Sequence, residues 1–354
     1  MKIHEGEMHL IVKQRSIPIK IFMEEALLSR LPKTHPKWQN VYNDRRRRIN
    51  GLKGENSLDY EFSFLPDKGL LIFHGLRLPH NEYYFQIDTL ILSTRFAFIV
   101  EIKNYSGTLV FDKASNQMTR IMNEKEDGFA NPILQVKRQK KQFNNWLDDH
   151  NLPSIPTEYL VEISNPATII KSGDKEVFLK VCKSVELEDR FNSISRSYEK
   201  EVLNEKGMRK LKKLMLKEHT PHIPDILEVF GIQKNDLVTG VQCPSCLAFS
   251  MKRQLKNWNC PRCLFHSKDA HIQAIMDYFL IFGSNLTNRM LREFLHISLI
   301  KTASNMLTSM KFPYTGKKKG RVYHPPPDFD SLLDSRVNPA ITKNNRGINT
   351  SAGT

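Results

Sequence analysis

Alternation of apolar and polar positions is densest between residues 69 and 122. The segments "GLLIFHGL", "YYFQIDTLIL", "FAFIVEIK", "GTLVFD" and "QMTRIM" each repeat with a period near two, bounded by Gly, Asn and Ser, and predict short strands. Upstream, residues 1–50 read as an extended start followed by helix: "IFMEEALLSRL" has helical spacing, and "LPKTHPKW" interrupts it with two prolines. Leu52, Leu58, Phe62 and Leu65 fall on one helix face. Residues 131–149 read as a helix with Asn131 as N-cap and Pro132 in the first turn. Two more strands, "EYLVEIS" and "EVFLKVC", precede a Lys- and Leu-rich helix at 199–217. Strands flanked by helices predict an α/β domain with a mixed sheet.

The pattern changes near residue 238, at the first of two cysteine pairs, and becomes mostly helical from about 269 to 324. There Met290, Leu291, Phe294 and Leu295 form one apolar face, and Leu299, Ala303, Met306, Leu307 and Met310 a second. Ser298 is the expected N-cap of the second helix. "FPYTGKKKGRVYH" then reads as a hairpin with a basic tip. Helix, turn, helix and basic hairpin resemble a winged helix-turn-helix, which would face Lys301, Thr302, Ser304 and Asn305 into a groove and set Lys317 to Lys319 and Arg321 on phosphates. A helical hairpin that packs on its neighbours is the plainer alternative. From 325 the chain is polar and reads as disordered.

Composition sharpens this picture. The chain has 354 residues and a net charge of +15, an excess that points to a polyanionic partner, nucleic acid before a membrane surface. The start, "MKIHEGEMHL", lacks a basic-then-apolar leader, and no run of about 18 apolar residues predicts a membrane span. Four of the five cysteines lie in close pairs, which fits metal binding in a reducing, cytoplasmic setting.

The most apolar strand pair carries charge. Phe96, Phe98, Val100 and Ile102 share one face, while Ala97 and Ile99 share the other with Glu101 and Lys103. Asp88 lies on the preceding strand. A buried carboxylate is costly unless compensated. A divalent cation between Asp88 and Glu101 would compensate it, with Lys103 as the charge that stabilises a developing phosphate transition state. A strand-end salt bridge from Glu101 to Lys103 or Arg95 explains the same residues without chemistry.

Four motifs in order, "GLKGE" at 51–55, "FQIDTLIL" at 85–92, "VEIKNYSG" at 100–107 and "NPILQ" at 131–135, resemble the nuclease-related domain (NERD) family of PD-(D/E)xK, restriction-endonuclease-like nucleases. The resemblance covers roughly residues 45–165. It implies a restriction-endonuclease-like mixed β-sheet flanked by helices. It also implies a magnesium- or manganese-dependent phosphodiester hydrolase, with Glu55, Asp88, Glu101, Lys103 and Gln135 as catalytic positions and Asp88 and Glu101 as magnesium ligands. Arg45 to Arg48 would steer a phosphate backbone or simply form a solvated helix face. Gly51 and Gly54 are expected to permit close helix packing. A homodimer and DNA-processing protein partners are compatible with it.

"CPSC" at 243–246 and "CPRC" at 260–263 supply four thiolates, Cys243, Cys246, Cys260 and Cys263, at zinc-ribbon spacing. Trp258 reads as exposed, and His266 and His271 as surface residues outside a zinc shell that is already full. Cys182 reads as a core residue. The divisions that follow are an N-terminal helical extension at 1–44, a nuclease-like core at 45–165, a connector at 166–237, a zinc ribbon at 238–268, a winged-helix-like unit at 269–324 and a disordered tail at 325–354. The function expected is a metal-dependent nuclease acting on DNA ahead of RNA. The alternatives are a non-catalytic nucleic-acid-binding or recruitment protein built on the same fold.

Overall fold

A computed structural model of the chain describes residues 10–66, 69–112, 115–327 and 329–334. Along the chain, β1 (Leu10–Lys13), α1 (Ile19–Arg30) and α2 (Trp38–Phe62) come first. Then follow β2 (Leu71–His80), β3 (Tyr83–Leu92), β4 (Ala97–Lys103), β5 (Thr108–Asp112), β6 (Gln117–Met122), β7 (Lys125–Ala130) and α3 (Pro132–Asp149). After these run β8 (Thr157–Ile163), β9 (Ile169–Ser172), α4 (Lys175–Lys180), β10 (Val181–Lys183), α5 (Leu187–Arg196) and α6 (Glu205–Glu218). The remainder holds α7 (Ile226–Phe230), β11 (Lys252–Gln254), β12 (Asn257–Asn259), β13 (His266–Ser267), α8 (Ala270–Phe282), β14 (Leu286–Thr287), α9 (Asn288–Leu295), α10 (Ile300–Ser309), β15 (Tyr314–Thr315), β16 (Val322–Tyr323) and α11 (Phe329–Asp334). The chain divides into two compact units. One comprises the described residues of Met1–Ser16 and Asn50–His222, the other those of Ile17–Ile49 and Ile223–Pro339.

The first unit is built on a six-stranded mixed sheet in the order β1-β2-β3-β4-β8-β10. β2, β3 and β4 are antiparallel neighbours, whereas β1, β8 and β10 each join in parallel. Both faces are covered. Phe96, Phe98, Val100 and Ile102 pack with Leu58 and Phe62 of α2 and Leu187 and Phe191 of α5. Ala97 and Ile99 pack on the opposite face with Val136, Phe143 and Trp146 of α3 and Met208, Leu211 and Met215 of α6. Two buried faces explain why β4 reads as a nearly continuous apolar run. A four-stranded sheet, β7-β6-β5-β9, adds Leu109, Phe111 and Met118 to the α3 side. Asn131 caps α3 as expected, its Oδ1 accepting the Ile133 N–H at 3.0 Å. Cys182 is buried in the α2 side.

Several sequence expectations are corrected. "EVFLKVC" is mainly helix, because Asp174 caps α4 by accepting from the Glu176 N–H, and only Val181–Lys183 pairs as a strand. Phe178 and Leu179 are exposed while Val177, Val181 and Cys182 are buried, a pattern that a single alternating strand would not give. The Lys-rich helix begins at Glu205, where Asn204 caps it. Strand β7 is exposed along most of its length and has no apolar alternation to announce it.

In the second unit, α1, α8, α9, α10 and the short ribbon strands share one core. Trp258, expected to be exposed, is only 1% exposed and donates from Nε1 to Nδ1 of the buried His271 at 3.1 Å. Both expectations fail because the ribbon packs against α8, which carries His271. Strands β14, β16 and β15 form an antiparallel three-stranded sheet, and Lys318–Gly320 makes a turn of 3₁₀ helix between β15 and β16. Within the segment from 325, expected to be disordered, Phe329–Asp334 forms α11, whose Phe329 and Leu333 enter the core. Residues 335–354 of that expected tail lie outside the described residues. Among the described residues, no helix is long and apolar enough to cross a membrane.

Candidate active site and metal centre

The site arises where two strands part. β3 and β4 pair from Leu92↔Ala97 to Thr89↔Val100. Extending that register one step sets Asp88 opposite Glu101, but the ladder has ended there, and β4 continues beside β8 to Lys103↔Ile163. Opposed residues of an antiparallel pair project to the same face. Asp88 Oδ2 accepts the Ile102 N–H at 3.0 Å, so a side chain ties the two strands where the backbone pairing stops.

Glu101 is 1% exposed and accepts three side-chain hydrogen bonds. Its Oε1 accepts from Lys103 Nζ at 2.6 Å and from Gln135 Nε2 at 2.5 Å. Its Oε2 accepts from Gln139 Nε2 at 2.7 Å. Lys103 Nζ also donates to Gln135 Oε1 at 3.1 Å. The salt bridge from Glu101 to Lys103 therefore exists, but as part of a wider cluster. Arg95 takes no part: it bonds Ser195 Oγ and the Tyr198 carbonyl. Gln135 and Gln139 reach Glu101 together because residues four apart lie on one helix face.

Glu55 enters from α2. Gly54 makes that approach possible: a Cβ there would lie 2.5 Å from Asn104 Cβ and 2.7 Å from Ser164 Oγ. Asn104, next to Lys103, also donates to the Asn50 carbonyl at 2.8 Å. Gly51 does not share this role, since an added Cβ would meet nothing within 4 Å. Gly54→Ala is expected to destabilise the protein by about 1–3 kcal/mol through overpacking and to lower any cleavage with it. Urea unfolding beside a cleavage assay checks both.

Charge accumulates at this fork. Loss of water around Asp88, then Glu101 and Glu55, push the Asp88 carboxyl well above the usual carboxylate range. Burial, opposed by Arg15 and reinforced by Glu101, also raises Glu55. Burial would lower Lys103, but Glu101 and Asp88 raise it, so its ammonium stays charged. Such mutual perturbation is typical of functional sites. The donor set fits a hard, hydrated cation such as magnesium or manganese, which takes one or two carboxylates and keeps several waters. Oε1 of Glu101 already accepts two bonds and Oε2 one, so Oε2 keeps room for a further partner. The buried Oε1 of Gln139 accepts no hydrogen bond, so the cluster keeps an acceptor open. Among the described residues, the one set of three or more His, Cys, Asp or Glu donor atoms within 4.8 Å of one another is the four cysteines. Glu55, Asp88 and Glu101 thus form no closed three-carboxylate cage.

The cysteines form the second centre. Cys243 Sγ lies 3.6 Å from Cys263 Sγ, and Cys246 Sγ 3.6 Å from Cys260 Sγ. These separations are far beyond a disulfide bond of about 2.05 Å. They match the edge, roughly 3.8 Å, of a sulfur tetrahedron around zinc at about 2.3 Å. Ser250 Oγ, 3.3 Å from Cys260 Sγ, adds a hydrogen bond outside the thiolate set.

The arginine run is largely neutralised within its own unit: Arg45 pairs with Glu25, Arg47 with Asp44, and Arg48 with Glu24 and Asp44. In the helical pair, Lys301 and Asn305 are exposed. Ser304, expected in a groove, instead accepts from Asn288 Nδ2 at 2.9 Å. Leu299, expected inward, is 67% exposed and takes the N-cap position assigned to Ser298. Met290 is exposed too. Lys317, Lys318 and Lys319 are exposed at the hairpin tip, and Arg321 stacks over Tyr314 at 3.9 Å.

Sequence reasoning missed Gln139, Arg15 and His74. The spacing of Gln139 from Gln135 was a usable signal. Arg15 and His74 had none, because their meeting depends on β1 pairing beside β2.

Residues 50–164 match the nuclease-related domain family. An uncharacterized protein of Bacillus anthracis is 28% identical over 131 residues, covering 36% of this chain and 56% of that protein. The chain thus spans little more than half the length of that relative. No solved structure matches.

Proposed function

We propose that this chain, which carries a nuclease-related domain at residues 50–164, is a metal-dependent nuclease that hydrolyses phosphodiester bonds of nucleic acid, DNA first. One observation carries the reading: Glu101, Lys103, Gln135 and Gln139 converge by direct hydrogen bonds beside Asp88 at the fork of β3 and β4. A magnesium or manganese ion, when bound, supplies charge neutralisation and a nucleophilic water. Asp88 and Glu101 would hold that ion, with Glu55, whose charge also bears on Asp88, completing the acidic set beside it. The two glutamines orient Glu101, and Lys103 stabilises the charge that grows on the phosphate oxygens.

The second unit supplies targeting. The order α8, β14, α9, α10, β15, β16 resembles that of a winged helix-turn-helix, a likeness that supports DNA contact by Lys301 and Asn305 and phosphate contact by Lys317, Lys318 and Lys319. Zinc on Cys243, Cys246, Cys260 and Cys263 holds the ribbon. The cytoplasm suits both the reduced thiolates and the substrate. DNA-processing proteins and a second copy of the chain are the partners this role invites.

A second reading has one observation in its favour. Glu55 is engaged by Arg15, and Oε1 of Glu101 by Lys103 and Gln135, an arrangement that also suits a non-catalytic nucleic-acid-binding scaffold. Incubating the purified protein with plasmid, linear and single-stranded substrates across magnesium and manganese separates the two. The nuclease reading expects metal-dependent cleavage that Lys103→Ala removes. Salt-sensitive binding without cleavage, unchanged by Lys103→Ala, would leave the scaffold.

A further inference from the structure

We propose that Arg15, which precedes the matched domain, is a positioning residue that sets Glu55 at the nuclease site; this rests on the metal-dependent reading above. β1 joins the sheet edge in parallel with β2, pairing Leu10 with Leu71 and Lys13 with Phe73. That pairing delivers Arg15 to α2. Arg15 Nη1 donates to Glu55 Oε2 at 2.9 Å, and Nη2 donates to Asp59 Oδ1 at 3.2 Å. Glu55 and Asp59 are one helical turn apart, so one planar guanidinium spans both.

The same Nη2 lies 3.2 Å from His74 Nδ1. A guanidinium only donates, so His74 Nδ1 is the acceptor and the imidazole carries its proton on Nε2. His74 Nδ1 is also 3.0 Å from Thr89 Oγ1, and Thr89 is the neighbour of Asp88 on β3. Arg15 therefore links the helix that carries Glu55 to the strands that carry Asp88. Its side chain is 7% exposed, which fixes it as an internal strut rather than a surface phosphate contact. Gly54 against Asn104 sets how near α2 comes to β4, and Arg15 sets where the Glu55 carboxylate points once there.

The test is manganese titration of the nucleic-acid-free full chain by calorimetry, with cleavage kinetics alongside. It compares wild type with Arg15→Ala, Arg15→Lys, Glu55→Gln and the double variant Arg15→Ala/Glu55→Gln. Arg15→Ala is expected to weaken manganese binding about tenfold and lower kcat about 10- to 100-fold, with KM for DNA within about threefold. Arg15→Lys restores only part of this, because a single ammonium cannot span Glu55, Asp59 and His74. The double variant binds manganese as weakly as Glu55→Gln alone and no more weakly, since Arg15 acts through Glu55. Unchanged manganese affinity in Arg15→Ala, full recovery by lysine, or additive losses in the double variant would each overturn the proposal. If the wild type binds manganese but does not cut, the hydrolysis reading fails while the affinity comparison still decides the role of Arg15. If it binds no manganese, both fall.

Discussion

Asp88→Asn is expected to lower cleavage by about 10²- to 10³-fold or more, the scale seen when one electrostatic contact to a transition state is lost. Nucleic-acid affinity should barely change. Stability is the informative companion. Burial, then the neighbouring Glu101 and Glu55, push the Asp88 carboxyl upward and make its ionised form unfavourable without a cation. Asparagine removes that repulsion and keeps an oxygen for the Ile102 N–H. The unfolding midpoint without divalent metal should therefore hold or rise, the trade expected where function is maintained against stability. A variant that loses cleavage only because it unfolds, or one that cuts at the wild-type rate, would remove Asp88 from the mechanism.

Loss of zinc should have the other large effect. Cys243, Cys260 and Trp258 belong to the same core as Phe279, Leu291 and Phe294 of the helices. The ribbon strands are two or three residues long and bury little by themselves. Structural zinc contributes roughly 10–16 kcal/mol in isolated finger peptides, so several kcal/mol should depend on it here. Cys260→Ala is expected to abolish zinc retention, lower the melting temperature and shift tryptophan emission to the red as Trp258 meets water. Zinc content by atomic absorption, read with thermal unfolding, checks it. Wild-type protein without zinc, or a Cys260→Ala variant that keeps it, would refute the ribbon assignment.

Much of this was legible in the chain because the relevant signals are local. Alternation marked β3 and β4, the Asn131–Pro132 step marked the start of α3, and two short cysteine spacings marked the four-cysteine cluster. The parts that misled depend on tertiary packing. Trp258 and His271 read as surface residues until the ribbon meets α8. Glu162 shows why a charge in a strand is a poor guide by itself. It too is buried in an apolar strand, yet it accepts from Ser184 Oγ at 2.5 Å, and burial pushes its carboxyl up to about 8, so it is held largely protonated. What sets Glu101 apart is its company: an ammonium, two amides from one helix face, and an acid across a parting ladder. That company follows from register, which alternation alone does not reveal. Arg15 was invisible for the same reason, since a four-residue strand far along the chain brings it to α2.

The central claim is that Asp88 and Glu101 share a cation. Anomalous diffraction from crystals soaked in manganese tests it most directly. The account predicts a peak bridging the two carboxylates at about 2.1–2.2 Å from an oxygen of each, absent in Asp88→Asn. An empty fork in crystals whose protein has been exposed to excess manganese, with both acids still bonded only to Ile102, Lys103 and the glutamines, would contradict it.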